Sequence, residues 1–112
     1  MIYKIIQLNS RLYASIRTEI MYEIASAHVA GIELLRINIK KDEQGVLHKR
    51  AMTSLIRCLK SMKSAGTIQF FATAESFEQG STEAQFLINK YPETFTTLPK
   101  ESETECFVYI RT

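Results

Sequence analysis

A chain of 112 residues with 46% hydrophobic side chains is long enough for one domain with a core, too short for two ordinary ones, and too apolar for whole-chain disorder. No apolar run reaches the roughly 18 to 20 residues that cross a bilayer. Met1-Ile2-Tyr3-Lys4 lacks the pattern of a signal peptide, and two cysteines without a CxxC pair make no disulfide framework, so a cytoplasmic location is expected.

Residues 2–8 read as a strand, with Ile2, Ile6 and Leu8 at period two and Tyr3 and Ile5 on the other side. Asn9-Ser10 supplies a polar N-cap for a helix over residues 11–30, whose inward stripe is Leu12, Ile16, Ile20, Ile24 and Ala27, flanked by Tyr13 and Met21. Ser15, Thr18, Glu19, Glu23 and Ser26 lie opposite. His28 in the last turn and Gly31 just beyond it mark the C-terminus. A second strand follows over residues 32–39, and a strand–helix–strand run of this length predicts a right-handed crossover between parallel strands.

The polar connection Lys40 to Gly45 leads into a second helix over residues 46–64, with Ala51, Met52, Leu55, Ile56, Leu59 and Met62 inward and Lys49, Arg50, Arg57, Lys60 and Lys63 outward. Ala65-Gly66 ends it, and residues 67–72 form a third strand. Gly80-Ser81-Thr82 opens a third helix, for which Thr82 and Gln85 have capping-box spacing and Pro92 is the stop. Residues 105–111 form the last strand. The order β-α-β-α-β-α-β predicts one α/β domain over residues 1–112, with helices packed on a four-stranded mixed sheet.

The net charge of +2 averages two unlike regions: eight Lys/Arg against two Asp/Glu over residues 36–63, then seven acidic against two basic over residues 75–105. That asymmetry marks either a polyanion-binding face or a solvated helix side balanced by acidic loops. Chemistry-bearing motifs are sparse. No GxGxxG or P-loop pattern follows the first strand, so no nucleotide cofactor is expected. His28 and His48 have no partner at metal-ligand spacing, and Cys58 reads as a packed thiol beside Leu55 and Leu59. Ser10, Ser15 and Ser81 read as caps or surface residues, and Phe70 and Phe71 as core rather than a base-stacking platform.

A strand ending in a polar turn, a long helix ending in Ala-Gly, and a strand meeting a helix-capping loop form a further pattern. It continues through Ala65-Gly66-Thr67-Ile68, Ala74-Glu75-Ser76-Phe77, Glu83-Ala84, Leu87 and Pro92. In this order and spacing the whole chain resembles the Smr (small MutS-related) domain, in particular its compact stand-alone bacterial members. The resemblance implies nucleic-acid binding and, in some members, endonuclease activity. Family members end the first strand with Asp-Leu-His-Gly, where this chain has Gln7-Leu8-Asn9-Ser10, and the second with His-Gly-x-Gly, where it has Asn38-Ile39-Lys40-Lys41. The family's Leu-x-x-Arg is kept as Leu47 and Arg50.

Amides at positions 7, 9 and 38 do not exchange protons near neutral pH, so no catalytic residue is expected. Without the glycines a phosphate cannot approach the loop backbone as closely. What remains is electrostatic: Arg36, Lys40, Lys41, Lys49, Arg50 and Arg57 are the candidate contacts to DNA or RNA, opposed by Asp42 and Glu43. Two other classes stay open. One is a protein-interaction or homo-oligomeric domain, with Glu101, Glu103 and Glu105 as an acidic contact; the other is a weak nuclease.

Overall fold

The computed structural model describes residues 3–8, 13–39, 48–97 and 105–110. Among these residues eight elements follow in chain order: β1 (Tyr3–Leu8), α1 (Tyr13–Ala30), β2 (Leu34–Ile39), α2 (His48–Ser64), β3 (Phe70–Thr73), α3 (Ala74–Glu78), α4 (Thr82–Lys90) and β4 (Glu105–Tyr109). The strands form one sheet in the order β1-β2-β4-β3. β1 and β2 are parallel, and β4 runs antiparallel to both β2 and β3. The expected α/β class and mixed four-stranded sheet are what the chain adopts.

The period-two pattern of the strands divides the core into two layers. Ile6, Leu35, Ile37, Ile39, Cys106 and Val108 point to one face and pack with Ile16, Ile20, Ile24 and Ala27 of α1 and Ala51, Leu55, Leu59 and Met62 of α2. Leu34, Ala72, Phe107 and Tyr109 point to the other and pack with Phe77 of α3, Ala84 and Leu87 of α4, and Tyr91 and Phe95. Burying each large aliphatic side chain contributes roughly 1.5–3 kcal/mol, so the α1–α2 layer is the main source of stability. The second layer covers only part of its face: Ile5 on β1 is 54% exposed, and Gln7 is exposed beside it.

Both long helices end by the same device. Gly31, at φ 74°, donates to the His28 carbonyl, and Ile32 donates to that of Ala27. After α2, Gly66 at φ 78° donates to Lys63 and Thr67 donates to Met62. This Schellman pairing needs a left-handed residue, which only glycine adopts without steric cost.

Two local expectations are corrected. Thr73, at the end of β3, caps a five-residue helix, α3, that was not expected; its hydroxyl accepts from the Ser76 amide while the Ser76 hydroxyl accepts from the Thr73 amide. The N-cap of α4 is Ser81 rather than Thr82: Ser81 Oγ accepts from the Ala84 amide at 3.1 Å, and Gln85 Nε2 donates to the Gly80 carbonyl. Strand starts also shift, because the left-handed glycines leave residues 32–33 and 67–69 as connections ahead of β2 and β3. The expected helix starts at residues 11 and 46 lie outside the described residues. Among the described residues no helix is long and apolar enough to cross a membrane.

Candidate nucleic-acid interface

The burial of Ala51, Leu55, Cys58, Leu59 and Met62 fixes the rotation of α2 about its axis. Positions 49, 53, 57 and 60 follow at spacings of four, four and three, so Lys49, Thr53, Arg57 and Lys60 share the opposite, outward side. Lys49, Arg50, Arg57, Lys60 and Lys63 are all exposed, and the 17 residues of α2 include no Asp or Glu. Thr53, Ile56, Arg57 and Lys60 surround a shallow depression of about 300 Å³. Thr53 Oγ1 donates to the Lys49 carbonyl at 2.9 Å, which turns the hydroxyl toward the preceding turn.

Lys49 and Arg50 stand in the first turn, at the positive end of the helix macrodipole, and no acidic residue shares that turn among the described residues. Cations at that end destabilise a helix by roughly 0.3–1 kcal/mol each. An anion docked on the first turn would relieve both repulsions at once.

Arg36 stands apart from this group. Its neighbours Leu35 and Ile37 face α1 and α2, so its own side chain leaves the opposite face of the sheet. There its Nε donates to Glu105 Oε2 at 2.9 Å and its Nη2 to Glu105 Oε1, and its guanidinium lies 5.7 Å from the Phe107 ring centroid. Glu105, which the sequence suggested as part of an acidic contact with Glu101 and Glu103, is therefore occupied by this ion pair, with a side chain only 12% exposed. The link joins positions 69 residues apart, and no local pattern announces it.

On that same face the register sets Gln7 opposite Asn38 and Asn38 opposite Glu105. The two strand-end positions singled out by the Smr resemblance are thus neighbours. Gln7 is exposed and Asn38 half-buried; Asn38 Oδ1 has no hydrogen-bond partner among the described residues. Two amides beside a carboxylate held at both oxygens by Arg36 offer no free group for proton transfer in this row. Asn9, Lys40 and Lys41 lie outside the described residues.

Both cysteines are buried. Burial pushes the Cys58 thiol up, partly offset by the nearby Arg17 cation; burial, with the Glu105 charge adding to it, pushes Cys106 up to about 12. Neither resembles an activated nucleophile. Among the described residues no group of three or more His, Cys, Asp or Glu side chains could hold a metal ion. Comparison with known proteins finds no matching family model, no matching curated protein and no matching solved structure.

Proposed function

We propose that this protein binds nucleic acid weakly, through phosphates and without sequence preference, along the outward face of α2, and that it does not cleave what it binds. The observation that carries this reading is the composition of that face: five cations and no carboxylate on one helix, two of the cations at its positive end. A solvated helix side would ordinarily intersperse acidic residues, which form stabilising pairs with Lys and Arg three or four positions away. The same reading makes the chain a cytoplasmic, divergent relative of Smr domains. Support for that kinship is the β1–β2 register, which pairs Gln7 with Asn38, the positions of two lost motifs.

A salt titration of labelled single- and double-stranded oligonucleotides tests the proposal. Each phosphate neutralised on duplex DNA contributes about 0.9 to the log–log salt slope. The double variant Arg57→Ala/Lys60→Ala is expected to weaken binding and flatten the slope by up to about two contacts' worth. Lys40→Ala/Lys41→Ala reports whether the preceding loop shares in it, and Arg36 variants are expected to leave binding unchanged. Failure of the wild type to bind at low ionic strength refutes the reading. Cleavage that copurifies with monodisperse protein and vanishes in Asn38→Ala refutes the second half of it.

One observation favours a protein-contact role instead. The outer side of α1 exposes Tyr22 at 69% and Val29 at 91%. A concentration-dependent mass that Tyr22→Ser/Val29→Ser abolishes, in a protein that ignores nucleic acid, would establish that role.

A further inference from the structure

α1 and α2 touch along their lower sides, where Ile20, Ile24 and Ala27 meet Leu55, Leu59 and Met62 in the main core. Above that contact the facing residues become small: Ala25 on α1, then Ser61 and Ala65 from the end of α2. Side chains of this size cannot fill the space between two helix axes, which lie 8–10 Å apart when normally packed. A cleft of about 370 Å³ remains, within the range of small-molecule sites. Ile24, Cys58 and Met62 make an apolar floor, since all three are buried yet line the cleft. Met21 stands half-exposed on the wall, and its unbranched thioether adapts to the shape beside it.

The two ends differ. At one, His28 Nε2 donates to the Thr67 carbonyl at 3.2 Å, tying the last turn of α1 to the segment after α2. At the other stands Arg17, close enough to Cys58 for its charge to act on that thiol. Arg17 and His28 lie eleven positions apart on the helix, so the cleft runs for roughly 16 Å at 1.5 Å per residue. Among the described residues its lining includes the Arg17 cation and no carboxylate. An apolar trough with a cation at one end complements a molecule with an apolar body and one anionic head. A polyanion would have to desolvate its remaining charges against the apolar floor, which costs several kcal/mol per charge.

We propose that the cleft between α1 and α2 binds a small amphipathic monocarboxylate, its hydrocarbon body lying over Ile24, Cys58 and Met62 and its carboxylate meeting Arg17. The site is independent of the cations on the outward side of α2.

Calorimetric titration of the full chain with octanoate, octanol and octylammonium tests this with one apolar body and three head groups. Octanoate is expected to bind saturably, about tenfold tighter than octanol, the factor conferred by one charge-assisted hydrogen bond at the low end of its range. Octylammonium is expected to bind more weakly than either. Arg17→Gln should bring octanoate and octanol level while leaving octanol unchanged. Ala25→Leu and Ser61→Leu each place a branched side chain in the cleft and should abolish binding of both. The methyl resonances of Met21 and Met62 read occupancy in the wild type without any substitution, and octanoate should shift both. Octylammonium binding as tightly as octanoate, unchanged head-group preference in Arg17→Gln, or unmoved Met21 and Met62 methyls each overturn the proposal.

Discussion

Arg36 and Glu105 offer a pair whose contribution can be worked out before it is measured. The guanidinium makes two charge-assisted hydrogen bonds to one carboxylate, with side chains 32% and 12% exposed. Each such bond in a buried setting contributes roughly 1.5–3 kcal/mol, but water reaches the arginine and lowers the net value. A coupling of about 1–2 kcal/mol is expected. The two single losses should differ. Glu105→Gln leaves a cation that solvent partly hydrates and retains one acceptor for it, at about 1.5 kcal/mol. Arg36→Met keeps an unbranched side chain of similar length but leaves the more buried carboxylate uncompensated, at about 3 kcal/mol. At this chain length about 1 kcal/mol moves the midpoint by roughly 4 °C, so melts near 6 and 12 °C below wild type are expected. Urea unfolding of the wild type, both single variants and the double variant closes the cycle, the double costing less than the sum. Single effects that add to within about 0.5 kcal/mol, or Glu105→Gln costing more than Arg36→Met, would refute the reasoning.

Other tests address separate parts of the molecule. In native protein Cys106 should not react with a disulfide reagent at pH 8 and should react in urea; fast native labelling of it would contradict its burial. Lys90 and Tyr91 hold their protons more tightly in the fold. The Tyr109 hydroxyl, with which Lys90 bonds at 2.8 Å, raises the lysine, and burial, followed by the bond to Glu33, raises the tyrosine. Their stabilisation is complete below their ordinary values near 10 and is lost as pH climbs through the raised ones, so the urea midpoint should fall above about pH 10. Tyr91→Phe should lessen that fall, and a midpoint flat to about pH 11 would count against it. Gly66→Ala meets nothing within 4 Å but forces φ 78° on a side chain; a loss of roughly 1 kcal/mol in thermal unfolding is expected, and no loss would mean the turn adopts another conformation.

Much of the scaffold is legible in local patterns. Ile16, Ile20, Ile24 and Ala27 recur at helical spacing and are buried as a stripe, and Cys106 and Val108 alternate with Phe107 and Tyr109 across the two layers. α3 escapes that reading because five residues are too few to show a period; its signal is the Thr73 and Ser76 pair, and such residues serve turns as well as caps. Strand order is not legible either, since pairing between distant segments leaves no trace in the spacing of either one. The outward cations of α2 follow directly from its stripe of core residues. The separation of Arg36 from them follows from the alternation of β2, whereas its capture by Glu105 depends on β4 lying beside it. The cleft between the helices is written only as small residues, Ala25, Ser61 and Ala65, which any exposed helix position also tolerates.

The position of β4 shapes how this domain can assemble. It is the last of the described strands in sequence, yet it lies inside the sheet and is the only described strand that touches β3. β1, α1 and β2 can zip together as soon as they exist, because each pairs with a near neighbour in the chain. β3 has no strand to join until β4 arrives and slides between it and β2. On a ribosome the first half could therefore take shape early, while the second would wait for the final strand to emerge. A chain stopped before residue 105 would lay bare two further backbone edges, one of β2 and one of β3, each open to pairing with a neighbouring molecule.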